Sequence, residues 1–305
     1  MKAFGYQSNG GADVQEHLEL AKPSPLPGEL LVEVRAAGVN PVDGKIRSGV
    51  YGAADPSAFP VVLGREVAGV VREVGQDVDG FSIGDEVFGA VAPGSGGFSE
   101  FTLTIAESTA PKPPQVSFTD AATLTVAVAT AYDGVRQLGL EPGKTLLING
   151  ISGGVGVAAA QIARDNGLNV VGTAGADKKE LVESLGATLI PYGDGVAESI
   201  LAILPDGVDA ILDLAGGDGL RAVVDLLADR NKLVSAADQQ TVAELGGHVI
   251  ERDRSRAGLE AVAALVAGGK LDPHVEDVVP LEKAADAMAA VEVGHAKGKV
   301  VIQVS

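Results

Sequence analysis

The stretch Thr145-Leu146-Leu147-Ile148-Asn149-Gly150-Ile151-Ser152-Gly153-Gly154-Val155-Gly156 decides the reading of this chain. A short apolar run is followed by clustered glycines, and these open an Ala-rich helical segment that ends at Asn166-Gly167. Strand, glycine turn and helix in that order make the first half of a βαβ unit. Glycines there let backbone N–H groups approach a pyrophosphate at the positive end of the helix. The strict G-x-G-x-x-G spacing is not met, because Ile151 stands where the first glycine belongs; Gly150, Gly153 and Gly156 recur three apart instead. A tight strand–helix turn without a ligand is the competing reading.

Downstream the same texture repeats. Leu168–Thr173 is read as a strand, Lys178–Leu185 as a helix, Val208–Asp213 as a third strand and Lys232–Ser235 as a fourth. Alternation of this kind predicts a parallel, doubly wound sheet. Upstream the chain is punctuated by Gly and Pro: Leu30–Ala36, Pro60–Leu63, a strand pair over Gly64–Val74, and Gly84–Gly89 read as short strands of a compact, barrel-like domain. Pro111-Lys112-Pro113-Pro114 marks a stiff crossing segment. After Arg256 come an Ala-rich helix, a polar loop at Leu271–His274 and a last strand, Lys299–Val304. The expected organisation is one domain from 1–117 and 258–305 and a second from 118–257.

The chain has 305 residues, with 23 Lys and Arg against 41 Asp and Glu, a net charge of −18. That balance argues against nucleic-acid and anionic-membrane partners. With no cysteine, thiolate nucleophiles, iron–sulfur clusters and Cys-bound zinc are excluded. The run Ala121–Ala131 is too short to cross a membrane, and no hydrophobic signal core follows Met1, so a cytoplasmic protein is expected. Gly143-Lys144-Thr145 superficially suggests a phosphate-binding P-loop, but the Lys precedes the strand and the upstream glycine is misplaced at Gly139.

The second strand of the βαβ unit ends Gly172-Thr173-Ala174-Gly175-Ala176, without the acid that NAD sites place there for the ribose hydroxyls. Asp177 reads as a helix N-cap with Glu180 as its capping-box partner, and Lys178 and Lys179 bring positive charge. A 2′-phosphate is tolerated at such a tip, so NADPH is expected over NADH. The competing reading makes the two lysines only a solvated helix face.

These residues, with several motifs elsewhere, resemble the medium-chain dehydrogenase/reductase superfamily in its zinc-free quinone oxidoreductase and enone reductase branch. The motifs are Ala37–Asp43, Arg47–Tyr51, Leu63–Val71, Gly84–Val87, Ala129–Tyr132, Ser152–Gly156 with Gln161, and Gly294–Val301. The resemblance implies an α/β fold: an N-terminal GroES-like, β-barrel-type catalytic domain and a doubly wound parallel-sheet Rossmann domain, with NADPH in the cleft between them. It also implies a homodimer. Zinc-dependent relatives carry a Cys and a His where this chain has Asn40 and Arg65, and the four histidines (His17, His248, His274, His295) show no ligand spacing, so no metal is expected. Arg65 is expected to fill the vacated position, paired with Glu66 or Asp43.

On the family pattern, Asn40 and Tyr51 are orienting hydrogen-bond donors in the substrate pocket and Lys45 stabilises charge or delivers a proton. Their competing readings are a turn residue, a packed aromatic and a solvated lysine. Thr130 falls near the nicotinamide ribose; Ser152, Gly153, Gly154, Val155 and Gly156 take the pyrophosphate; Lys179 and Tyr192 grip the 2′-phosphate; Gly216 and Ser235 meet the nicotinamide half; and Thr173 also binds the cofactor. The implied activity is hydride transfer to a quinone or an α,β-unsaturated carbonyl, where negative charge grows on oxygen and a donor aimed at it is the useful device. An enoyl-thioester reductase and a low-turnover NADPH-binding sensor or structural protein are the alternatives.

Overall fold

The computed structural model describes residues 1–294 and 297–304. His295 and Ala296 of the C-terminal motif lie outside the described residues. The chain divides into two compact units: Met1–Val126 with Arg254–Gly268 and Val275–Ser305, and Ala127–Asp253 with Gly269–His274.

In the second unit six parallel strands run in the order Thr188–Pro191, Asn169–Ala174, Thr145–Asn149, Ala210–Asp213, Leu233–Ser235, His248–Val249. Thr145–Asn149 and Ala210–Asp213 are almost wholly buried, as a sheet covered on both faces requires. Their apolar side chains join a core around Leu147, Ile211, Leu220 and Leu233. Strand order reverses beside Thr145–Asn149, the place where open α/β sheets take their ligands. The P-loop look-alike has a structural use: Lys144 Nζ pairs with Asp209 Oδ1 at 2.9 Å, and Asp209 Oδ2 accepts from the Thr145 N–H at 2.8 Å, tying two neighbouring strands.

The first unit holds a six-stranded sheet in the order Val275–Pro280, Lys299–Gln303, Glu29–Val39, Glu66–Val74, Glu86–Val91, Phe101–Pro111. Phe101–Pro111 pairs back onto Glu29–Val39, curling the sheet towards closure. A three-stranded sheet of Gln15–Glu19, Lys2–Tyr6 and Val61–Val62 completes it. Phe4, Tyr6, Phe98, Met288 and Ile302 are among the buried side chains of its main core.

Two local expectations are corrected. Gly64–Val74 is not a strand pair but a single strand from Glu66, with Gly64 in left-handed backbone (φ +93°) beside the Phe98 ring. Asp177 is not a helix N-cap: it sits inside the single 3-10 turn Ala176–Lys178, and the α-helix Lys179–Ser184 begins after it without a side-chain cap. The segment Leu124–Val128 is a π-helix, which periodicity of the apolar residues did not signal.

Candidate cofactor and substrate sites

The turn after Thr145–Asn149 is built by its glycines. Gly150 adopts φ +94°, and a Cβ on Gly156 would stand 2.5 Å from the Ile151 carbonyl oxygen and 2.6 Å from that of Gly150. A Cβ on Gly153 would find nothing nearer than 3.9 Å, so the lip of the turn is open. Ser152 to Val155 are half-buried, and the 12-residue helix Gly154–Asp165 starts at Gly153 without a side-chain cap. Uncapped N–H groups at a helix start are a ready anion site, so these residues fit a dinucleotide pyrophosphate.

Beneath the turn a buried polar row crosses four neighbouring strands. Thr173 Oγ donates to Asn149 Oδ1 (2.6 Å), Asn149 Nδ2 to Asp213 Oδ1 (2.8 Å), and Ser235 Oγ to Asp213 Oδ2 (2.6 Å). The row also holds the backbone: Thr173 Oγ accepts from the Gly150 N–H at 3.1 Å, and Asp213 Oδ1 from those of Ala215 (3.2 Å) and Gly216 (3.0 Å). Thus Thr173, Gly216 and Ser235, expected to touch the cofactor, commit these polar groups to shaping two strand-end turns.

At the tip of Asn169–Ala174, Gly175 has the Tyr192 hydroxyl 3.7 Å from the place its Cβ would occupy. Tyr192 is 71% exposed. Lys179, at the first position of its helix, is exposed and lies 3.7 Å from Glu183. Lys178 is instead largely buried and pairs at 3.1 Å with Asp177, whose Oδ1 lies 2.5 Å from the Cβ position of Gly175. Lys179 and Tyr192 therefore form the exposed, polar border of this strand tip, and Asp177 beside it is paired with Lys178.

Thr130 is buried, and its hydroxyl accepts from Arg252 Nη1. Arg252 also pairs with the buried Asp133 (Nε to Oδ2, 3.2 Å), which accepts the Asp253 N–H at 2.9 Å. Arg252 was not visible as a candidate in the sequence, since nothing local marks a residue about 120 positions from its partners.

In the first unit Asn40 starts the helix Pro41–Arg47, and its backbone N–H donates to Asp43 Oδ2 at 2.9 Å. The Asn40 side chain belongs to a buried charged cluster. Its Nδ2 donates to Glu66 Oε1 (2.8 Å), and Lys299 Nζ donates to Asn40 Oδ1 (2.7 Å), the Val39 carbonyl (3.0 Å) and Glu66 Oε1 (3.2 Å). Glu66 Oε2 accepts from the Val126 N–H at 2.7 Å. The donor role expected of Asn40 thus competes with Glu66 for the same amide. Glu66 pairs with Lys299 rather than Arg65, and Arg65 has no ion-pair or side-chain hydrogen-bond partner among the described residues. Arg47 anchors the helix C-terminus through Glu292 (2.8 Å) and the Gly10 carbonyl (3.2 Å). Lys45 lies half-buried on that helix, and Tyr51, 66% exposed, in the loop after it.

These donors do not suit zinc. The positions that would ligate it hold an amide, a guanidinium and a carboxylate already bound to an ammonium, and a tetrahedral site needs thiolate, imidazole or free carboxylate. Among the described residues no three His, Cys, Asp or Glu gather as a metal group. His17 and His248 are exposed and His274 is half-buried.

Two family descriptions match the chain: "Alcohol dehydrogenase GroES-like domain" over residues 26–114 and "Zinc-binding dehydrogenase" over 185–302. A human mitochondrial NAD(P)H oxidoreductase is 35% identical, over 91% of this chain and 82% of its own length. The tomato (Solanum lycopersicum) 2-methylene-furan-3-one reductase is 34% identical over 99% of this chain and 79% of its own. Among solved structures, the quinone oxidoreductase from Coxiella burnetii superposes with a TM-score of 0.91 at 28% identity, covering 100% and 99% of the two chains. A mycobacterial protein complexed with NADPH gives 0.87 at 28% identity, covering 99% of each. With its GroES-like and Rossmann-type units, the chain belongs to the medium-chain dehydrogenase/reductase family, in its quinone oxidoreductase and enone reductase branch, and is an NAD(P)H-dependent oxidoreductase.

Proposed function

We propose that the chain is a zinc-independent NADPH-dependent reductase of quinones or α,β-unsaturated carbonyls. The observation that carries this reading is the tip of Asn169–Ala174, where Lys179 and Tyr192 border the strand end and Asp177 is neutralised by Lys178. A 2′-phosphate finds a cation and a hydroxyl there, whereas an NAD-type tip offers a free carboxylate to the ribose.

NADPH, when bound, supplies the hydride. The glycine turn Ser152–Gly156 holds its pyrophosphate with backbone N–H groups, while the row of Thr173, Asn149, Asp213 and Ser235 keeps that turn in place. Thr130, whose hydroxyl is oriented by Arg252, would hold the nicotinamide ribose. In the first unit Tyr51 and Lys45 supply donors to the substrate oxygen on which charge develops, worth orders of magnitude in rate when well aimed. Asn40 sets the start of the helix that carries Lys45 and couples it to Glu66 and Lys299. With Lys299 already neutralising Glu66, charge stabilisation comes from side-chain donors rather than a bound cation.

The test is NADPH and NADH oxidation against a quinone, an enone, an enoyl thioester and no acceptor, before and after treatment with a chelator. Turnover of the quinone or enone with NADPH, unchanged by the chelator, is expected. A thioester preferred by tenfold or more would reassign the chain to thioester reduction. Tight NADPH binding with no turnover would favour a sensor.

A further inference from the structure

The Rossmann-type sheet ends on the two-residue strand His248–Val249, and side chains of a helix take up the backbone groups on its outer side. Ile250 donates its N–H inward, to the Ser235 carbonyl at 3.1 Å. Successive peptide groups of an extended chain point to opposite sides, so those of Val249, Glu251 and Asp253 face away from the sheet. The helix Ala129–Leu138 meets all three. Gln137 Nε2 donates to the Val249 carbonyl (3.1 Å), Gln137 Oε1 accepts the Glu251 N–H (2.9 Å), and Asp133 Oδ2 accepts the Asp253 N–H (2.9 Å). Four residues of helix advance about 6 Å and two residues of strand about 6.6 Å. Asp133 and Gln137 therefore keep step with Asp253 and Glu251. The Gln137 amide offers the edge one donor side and one acceptor, as a peptide group of a neighbouring strand does. Asp133 is buried and Gln137 exposed, so Gln137 is the group that a competing strand has to displace.

We propose that the helix Ala129–Leu138 stands in for a last strand of this sheet, and that Gln137 holds the edge shut against a second copy of the chain. An open strand edge is a template for a further strand, and this one is self-complementary. In an antiparallel pairing of two copies centred on Ile250, the Glu251 N–H of each would donate to the Val249 carbonyl of the other. Those are the two groups that Gln137 occupies. The pairing would also shelter part of Val249, which is 42% exposed. Gln137 and a second copy therefore exclude each other at this edge. The helix keeps the Gln137 amide beside its partners at an effective concentration of the millimolar order, whereas a second copy has to be recruited from solution. The contact within the chain wins at ordinary protein concentration, and a dimer of the unmodified chain has to use another surface.

The experiment follows amide hydrogen exchange residue by residue by NMR, with sedimentation velocity on the same samples, at low and high protein concentration, for the unmodified chain and for Gln137→Ala. In the unmodified chain, exchange at Glu251 is expected to be independent of concentration. In the variant at low concentration it should quicken about fivefold, the worth of one exposed hydrogen bond. Ile250, bonded inward, is the internal reference and should change less than about twofold, because the strand itself stays in place. Raising the concentration of the variant should slow Glu251 again and bring a larger assembly than the unmodified chain forms. Gln137 is exposed, so the substitution leaves the core intact and the variant folds. Protection of Glu251 that rises with concentration in the unmodified chain overturns the proposal, since the edge is then already shared. Unchanged exchange at Glu251 in the variant overturns it too, as does equal quickening at Ile250, which would mean that the whole strand loosens. A variant whose Glu251 stays unprotected at high concentration, with no larger assembly, shows that Gln137 does not hold off a second copy.

Discussion

Each unit buries a polar cluster at the ends of its central strands, and the two are built on opposite electrostatic terms. In the Rossmann-type unit, Thr173, Asn149, Asp213 and Ser235 are direct register partners across four parallel strands. The Asp213 carboxylate is satisfied entirely by neutral donors: an amide, a hydroxyl and backbone N–H groups. In the GroES-like unit, Glu66 is satisfied by an ammonium, Lys299, with the Asn40 amide and one N–H. A row of neutral donors fixes the shape of a turn and tolerates loss of one member; a buried ion pair turns the loss of one member into an isolated charge.

Lys299→Met sharpens this contrast most. Lys299 is 3% exposed and Glu66 0%, so the substitution strands a buried carboxylate and should cost about 3–5 kcal/mol of unfolding free energy. Denaturant unfolding of the single variant and of Lys299→Met/Glu66→Gln measures it. The double variant should recover much of the loss, and a single-variant cost below ~1 kcal/mol would break the comparison.

Asp43, three residues from Asn40, gives the next effect. Burial pushes its carboxyl up to about 7, with the neighbouring Glu66 charge adding to the rise and the Asn40 N–H, Lys299 and Arg65 opposing it. The folded state therefore holds this proton more tightly than the unfolded one. The resulting stability is full below the ordinary carboxylate value of 3.8 and is lost as pH rises through about 7, a change of roughly 4 kcal/mol at most. Unfolding free energies between pH 4 and 8 should fall more steeply for the unmodified chain than for Asp43→Asn; parallel curves would show that Asp43 ionises normally.

The contrast also explains what the sequence disclosed. Asn149, Thr173, Asp213 and Ser235 lie at or next to strand ends that are legible as apolar runs, so the row could be located from local pattern. Its role is not legible there, because which polar group turns inward is decided by the neighbouring strand. The glycine turn was readable because Gly150 and Gly156 answer to backbone geometry within six residues. Lys299 is 233 residues from Glu66 and Arg252 is 122 from Thr130; no periodicity encodes such pairings. The motif Gly294–Val301 contains Lys299 as family pattern, which gives no physical reason for its lysine. The two-residue strands Val61–Val62 and His248–Val249 are too short to show alternation, and their pairing comes from the sheets that they join.

Asp213→Asn tests the other side of the comparison. It replaces one accepting oxygen by an NH₂ that faces donors and should cost about 1–3 kcal/mol, less than Lys299→Met because no charge is stranded. NADPH affinity should fall with stability, since the same carboxylate holds the Gly216 N–H and, through Asn149 and Thr173, the Gly150 turn. Calorimetric titration with NADPH and denaturant unfolding on one preparation separate the two effects; unchanged affinity would detach the row from the cofactor turn.

The smallest effect belongs to Lys179, which stands outside both clusters. Its ammonium is exposed, and its pairing with Glu183 at 3.7 Å is a surface helix pair of the kind that contributes a few tenths of a kcal/mol. Lys179→Ala should therefore leave unfolding almost unchanged. A 2′-phosphate would give that ammonium a doubly charged partner, so NADPH should bind about tenfold more weakly to the variant, near 1.4 kcal/mol, while NADH changes less than about twofold. Because the contact is exposed, the difference should shrink as salt is raised and the Debye length falls from ~10 Å at 0.1 M to ~3 Å at 1 M. Equal losses for the two dinucleotides would mean that Lys179 acts through the helix it begins. Cofactor choice would then rest on Tyr192 and the Asp177–Lys178 pair, and the clusters beneath the turns would set affinity without discriminating between the two forms.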